Sequence, residues 1–153
     1  SMLTRDGRSL IVSALDHNQL TELYAVRTEL EALAARLAAR HASREEVRVL
    51  GAMGEEDREI LDDPHALARA NRRFHHQIHL ASHNRYLVDQ IEHLRLSLIL
   101  MAGTTLDTPE RRETAVEEHA AVVTAIADGN SEAAEAAARL HIAHAHKTRL
   151  QQI

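Results

Sequence analysis

From about Leu20 the apolar positions follow a helical spacing. Leu20, Leu23, Leu30, Leu33 and Leu37 recur near i, i+3 and i+7 with Arg and Glu between them, which predicts a first helix ending near His41-Ala42. Ser43-Arg44-Glu45-Glu46 then has the form of a capping box, with the Ser hydroxyl accepting from the N3 amide and Glu46 reaching back. It opens a second helix running through Val47 and Leu50 to about Leu61. Gly51 and Gly54 fall inside it, so its intrinsic helix preference is the poorest of the set.

Asp63-Pro64 starts a third helix, because Asp63 caps orphan amides and Pro64 at N1 gives up an N–H that has no partner there. It continues to about Ser82. Asn84 opens a fourth, whose stripe is Leu87, Ile91, Leu94, Leu98 and Met101. Leu96, Ile99 and Leu100 make this helix apolar on other faces as well, which predicts a central position or a subunit interface. Thr108-Pro109 starts a fifth by the same cap-then-proline logic, and Asp128-Gly129-Asn130 ends it with Gly at C′. An Ala-rich sixth helix runs from about Ser131. Before all of these, residues 3–15 read as a turn at Asp6-Gly7 followed by a strand at Leu10-Ile11-Val12, a single strand with no partner of its own. The expected fold class is therefore all-α, an antiparallel bundle of about six helices. Residues 16–153 form the helical domain, and residues 1–15, with Ser1 before Met2 as a cloning remnant, stand outside it.

Composition sharpens this picture. A chain of 153 residues is one domain, and 44% hydrophobic residues supply its core. Tyr24, Tyr86 and Phe74 are the whole aromatic content, so that core is aliphatic and Ala-rich. The 18 Lys+Arg against 23 Asp+Glu give a net charge of −5, which excludes a basic nucleic-acid surface as the main feature of this chain. There is no Cys, and hence no disulfide, thiolate site or Cys nucleophile. Neither a signal peptide nor a membrane-length apolar run is apparent, and the expected location is the cytoplasm.

Histidine is the unusual residue, at 12 copies. On the third helix Leu67, Phe74, Ile78 and Ala81 mark the buried side, and Asn71, His75 and His79 run beside it at i, i+4 and i+8. His119 lies one turn before Val122-Val123 and Ile126 and faces inward with them. Ala134, Ala138, His141 and Ala145 form one line, in which His141 is the polar member. A single inward His is ordinarily a hydrogen-bonded core residue. Three on three facing helices, His75, His119 and His141, are also a donor set for a divalent ion such as Zn or Ni, with Asn71 as an oxygen donor. His79 is either a partner that orients a ligand or a core residue. His17, His41, His65, His76, His83, His93, His144 and His146 read as scattered residues at helix ends, on polar faces or in the tail. HExxH, Glu-x-x-His, glycine-rich phosphate loops and GxSxG are all absent, and the pattern places no Asp or Glu inside the bundle as a base, so the chain reads as a binding domain rather than an enzyme.

Across about residues 20–150 the chain resembles the FCD domain, the effector-binding domain of the FadR-like branch of GntR transcription regulators. Residues Leu23 to Glu31 followed by Leu37-Ala38-Ala39 are similar to the family's opening helix. Asn71-Arg72-Arg73-Phe74-His75 with Ile78, Ala81, Asn84 and Leu87 follows its D-x-x-F-H…N-x-x-L pattern. Glu118-His119…Ala125-Ile126…Gly129-Asn130 and Arg139-Leu140-His141 follow the remaining elements. The resemblance implies a metal held by His75, His119 and His141, with Asn71 where the family has Asp, so the site carries one negative charge fewer. It implies a small carboxylate effector that completes the coordination, for which Arg27 and Arg95 are the candidate guanidinium partners. It also implies a homodimer, and DNA binding only through a preceding winged-helix domain, of which residues 3–15 would be the end of the wing. The alternatives are a metal-dependent small-molecule enzyme and a plain helical dimerisation domain.

Overall fold

The computed structural model describes residues 3–6, 9–12, 16–99, 105–106 and 108–152. It contains strands β1 (Leu3–Asp6) and β2 (Ser9–Val12) and helices α1 (His17–His41), α2 (Arg44–Glu59), α3 (Pro64–Ala81), α4 (Arg85–Ile99), α5 (Pro109–Ala127) and α6 (Ser131–Gln152). The fold is all-α apart from the small hairpin. That hairpin corrects one expectation: Leu10-Ile11-Val12 is not an unpartnered strand. It pairs antiparallel with β1, Leu3 opposite Val12 and Asp6 opposite Ser9.

The helix starts follow the capping chemistry written in the chain. Ser43 Oγ accepts from Glu46 N while Ser43 N donates to the Glu46 carboxylate at 2.8 Å. Asp63 and Thr108 accept from Ala66 N and Arg111 N, each with proline at the first turn. Asp16 adds a capping box at α1. Gly129 adopts φ +66°, the left-handed geometry that closes α5 and that glycine tolerates without Cβ strain. Despite its two glycines, α2 is helical. Its capping box and the burial of Leu50 at its centre offset the poor local preference.

The core differs from expectation at two places. On α1 the buried line is Leu20, Tyr24, Glu31, Ala34, Ala35 and Ala38, whereas Leu33 of the leucine stripe is 40% exposed. The helix turns its small residues inward because α6 lies close against it, and α6 presents Ala134 and Ala138 in return. Close approach of two backbones needs alanines rather than leucines. On α4 only Leu87 and Ile91 are buried, and Leu96 and Ile99 are more than half exposed. Among the described residues this helix packs on α1 and α3 and is peripheral, which removes the central placement. Met101 of its stripe and Leu100 of its other faces lie outside the described residues. Phe74 and Ile78 of α3, Leu50 of α2, Val122 and Ile126 of α5 and Ala134 and Ala138 of α6 complete the main cluster around α1. None of the described helices is long and apolar enough to cross a membrane.

Candidate metal centre

Burial of Phe74 and Ile78 fixes the rotation of α3, and His75 follows Phe74 onto the flank that faces α5 and α6. Val122 and Ile126 do the same for His119 on α5, and the Ala134–Ala138 line brings His141 inward on α6. The three rings meet. His141 Nε2 lies 3.2 Å from His75 Nε2 and 3.3 Å from His119 Nε2. One nitrogen from each ring falls within 4.8 Å of the other two. A small void of about 10 Å³, the size of one water or ion, is lined by all three. Phe74 stacks on the His119 ring at 4.3 Å and closes the site on its inner side.

Each of the three rings also faces a buried carboxylate with its other nitrogen. His141 Nδ1–H donates to Glu118 Oε1 at 2.6 Å. His119 Nδ1 lies 3.8 Å from Asp57 Oδ2, and His75 Nδ1 lies 3.9 Å from Glu31 Oε2. These acids correct the expectation that no Asp or Glu enters the bundle: Glu31, Asp57 and Glu118 are all buried. Two of them are buried because they are paired. Glu118 accepts from the Arg111 guanidinium at 2.8 and 3.1 Å and from His144. Glu31 accepts from His79 Nε2–H at 2.9 Å on both oxygens. His79 is thus paired with the carboxylate that lies behind His75. His144, read from sequence as a scattered residue, joins the Glu118 group.

The charge states follow from this packing. Burial alone would raise the Glu118 carboxyl, but hydrogen bonds from His141, Arg111 and His144 pull it down to about 2. Burial also raises Glu31, and the hydrogen bond and charge of His79, with Arg27 and His141, together more than offset it. Burial pushes His141 down to about 4, against the opposing pull of Glu118. His75 falls well below 6.5 through burial and the neighbouring His119 and His141 rings. His75 and His141 are thus neutral at pH 7. Because His141 spends its single ring proton on Glu118, its Nε2 presents a lone pair to the centre, which is the form that binds a metal.

Asn71 sits one turn before His75 and lines the same cavity. Its Oδ1 is buried with no hydrogen-bond partner. An orphaned carbonyl that lines the same cavity as His75 and His141 fits an oxygen donor to a divalent ion. The donor set and the carboxylates behind it therefore suit such an ion.

The site opens into a cavity of about 680 Å³ between α1, α3, α4 and α6. Arg27 and Tyr24 line it from α1. Arg27 is half-buried and donates to Tyr24 Oη at 3.2 Å, with its guanidinium 5.3 Å from the ring. Among the described residues it has no carboxylate within ion-pair distance, and its Nε is buried without a partner. Arg95 is placed differently. It also borders the cavity, but its exposed guanidinium is already paired with Glu92 at 2.6 Å. The structure brings Asn71, His75, His119, His141 and Arg27 to one region and leaves Arg95 at its outer rim.

Sequence reasoning missed Glu31, Asp57, Glu118 and Arg111. A signal existed for two of them. Glu31 lies seven residues after Tyr24 and four before Ala35, on the inward line of α1, and Glu118 directly precedes His119.

The FCD domain family model matches residues 22–144. An uncharacterized HTH-type transcriptional regulator of Bacillus subtilis (strain 168), YdhC, is 27% identical over 142 residues, covering 91% of this chain and 63% of its own length. The chain thus spans less than two thirds of that relative. Among solved structures, E. coli McbR/YncC superposes with a TM-score of 0.86 at 19% identity over 99% of this chain and 78% of its own. Streptococcus agalactiae GntR superposes at 0.72 and 19% identity over 95% and 74%. At such identities the superpositions establish the shared fold, and the sequence match over most of the bundle establishes the family. The chain belongs to the FCD domain family.

Proposed function

We propose that this chain is the metal-dependent sensing domain of a FadR-like regulator, and that it binds a small organic acid in the cavity beside His75, His119 and His141. One observation carries the reading: three imidazole Nε2 atoms converge in the core while the ionised Glu118 holds the His141 proton on Nδ1. The ion would be held by these three residues with Asn71 Oδ1, and Zn or Ni suits imidazole donors. When bound, it supplies a Lewis-acid point for a carboxylate oxygen. Arg27, with no carboxylate within ion-pair distance among the described residues, would take the rest of the acid's charge by a charge-assisted hydrogen bond.

Sensing rather than catalysis is favoured by the state of Glu118. A carboxylate held at about 2 with both oxygens engaged is a poor base at pH 7. In the complete protein the effector would shift the placement of two winged-helix domains in a homodimer, to the extent that it binds the two arrangements with different affinity. The hairpin β1–β2 would be the end of the preceding wing.

A thermal-shift screen of small carboxylates with and without Zn²⁺ or Ni²⁺ tests this reading. The expected result is a carboxylate-dependent rise that needs the metal and vanishes in His119→Ala. A rise that persists without metal and in His119→Ala, or metal-dependent turnover of the acid, would overturn it.

A further inference from the structure

The three carboxylates behind the ligand rings are not equivalent. Glu118 is in hydrogen-bond contact with His141, and Glu31 is satisfied by His79. Asp57 of α2 is different. Its side chain is 2% exposed, and Oδ2 has no hydrogen-bond partner. His119 Nδ1, which faces it, is likewise buried without one. The two orphaned atoms lie 3.8 Å apart, within ion-pair range and about 1 Å too long for a hydrogen bond. Two unsatisfied buried polar atoms facing each other across such a gap are rare in a packed core.

The gap has a chemical reason. A neutral imidazole carries one proton on two nitrogens. His141 Nε2 is a bare acceptor, because the His141 proton is on the Glu118 side, and it lies 3.3 Å from His119 Nε2. A proton on His119 Nε2 serves His141 and leaves His119 Nδ1 as a lone pair opposite a carboxylate. A proton on His119 Nδ1 serves Asp57 instead. While His119 keeps its proton on Nε2 the Asp57 contact stays open; His75 Nε2, 3.2 Å from His141 Nε2, is a second donor for the His141 lone pair and frees the His119 proton for Nδ1.

We propose that Asp57 is the positioning residue for His119, receiving the Nδ1–H when Nε2 takes a metal ion, so that loading the site closes the Asp57–His119 contact and ties the last turn of α2 to α5. This rests on the metal-binding reading above. The proton only changes nitrogen on one ring, so no proton is gained or lost overall. The closing contact recruits a helix that supplies none of the ligands. The ligands lie on α3, α5 and α6, and without Asp57 the helix α2 would have no polar link to the centre among the described residues. Gly51 and Gly54 of α2 have open space where a Cβ would be, so packing at those points does not hinder a small shift of the helix.

The experiment uses the chain with Zn²⁺, comparing wild type, Asp57→Asn and Asp57→Leu. Zinc affinity is measured by competition with a chromogenic chelator. The His119 tautomer is read from long-range ¹H–¹⁵N spectra of the zinc-loaded protein. Wild type is expected to show His119 protonated at Nδ1 and hydrogen-bonded. Asp57→Leu removes the acceptor while keeping the branched shape, and zinc affinity is expected to fall by roughly 10–100-fold. Its unfolding midpoint without metal should not fall, because an unpaired buried carboxylate has been removed. Asp57→Asn keeps a carbonyl acceptor and should retain the Nδ1–H form with a smaller loss of affinity. This variant keeps the test open if Asp57→Leu does not fold. Wild-type affinity within twofold in both variants, or an unbonded Nδ1–H in loaded wild type, overturns the role of Asp57. No zinc uptake by wild type overturns the metal reading itself, and the role of Asp57 with it.

Discussion

Glu118→Gln isolates the electrostatic contribution of the carboxylate at the centre of the polar core. Glutamine has the shape of the protonated acid, so the substitution imposes on the folded chain the state that the surroundings disfavour. Those surroundings are Arg111 on two oxygens at 2.8 and 3.1 Å, His141 at 2.6 Å, and His144. The Glu118 side chain is 8% exposed, so solvent screens little of this. The fall from 4.5 to about 2 corresponds, at about 1.36 kcal/mol per unit, to about 3 kcal/mol in favour of the charged form. The sign is that of a depressed acid. Its contribution is complete above pH 4.5 and is lost as pH falls toward 2, where wild type takes up the same proton. Urea unfolding in the presence of chelator should therefore show Glu118→Gln less stable by about 3 kcal/mol at pH 7. The difference should be unchanged at pH 5 and should shrink below pH 4. A loss of under about 1 kcal/mol at pH 7, or a difference that persists undiminished at pH 3, refutes the reasoning.

Three other outcomes are expected. His141 falls from 6.5 to about 4 on folding, so its contribution is complete above pH 6.5 and declines toward pH 4; chelated protein should lose about 2 kcal/mol at pH 5 from this group, and a flat urea-stability profile between pH 7 and pH 5 contradicts that. Phe74→Ala empties the fully buried site against the His119 ring and should cost about 3–5 kcal/mol in urea unfolding, against under about 1 kcal/mol if the site collapses without loss. Arg27→Leu should weaken carboxylate binding by about tenfold or more in calorimetry while leaving zinc affinity unchanged, and equal carboxylate affinity removes Arg27 from the site.

Much of the fold is legible in the chain because its helix ends are written locally. Ser43, Asp63 and Thr108 each satisfy amides within three residues, so no tertiary knowledge is needed to place them. The inward lines of α3, α5 and α6 are also legible, since Phe74-Ile78, Val122-Ile126 and Ala134-Ala138 set the register that carries His75, His119 and His141. Helix α1 is read only in part by its leucines: Leu20 is buried and Leu30 and Leu37 pack on the core, but Leu33 is 40% exposed. Its neighbour α6 selects small residues, and tertiary packing overrides the stripe. The exposed apolar positions of α4 mislead for the converse reason, because side-chain type says nothing about which faces have neighbours within one chain.

The carboxylates behind the rings are the least legible part of the site. A Glu or Asp is a surface residue by default, and only a partner placed by the fold makes its burial affordable. Glu31 and Glu118 pair with His79 and His141, 48 and 23 positions away, and Asp57 faces His119, 62 positions away. Such pairings are not visible in local spacing. The same holds for His144, whose role depends on Glu118 being on the adjacent helix.

The central claim is that His75, His119 and His141 hold a metal. It is tested most directly by elemental analysis after equilibration with Zn²⁺ and removal of free ion, on protein purified without a nickel column. The account predicts a single bound ion per chain in wild type and none in His75→Ala, His119→Ala or His141→Ala. Wild-type protein that retains no ion, or an ion content unchanged in the three variants, contradicts it.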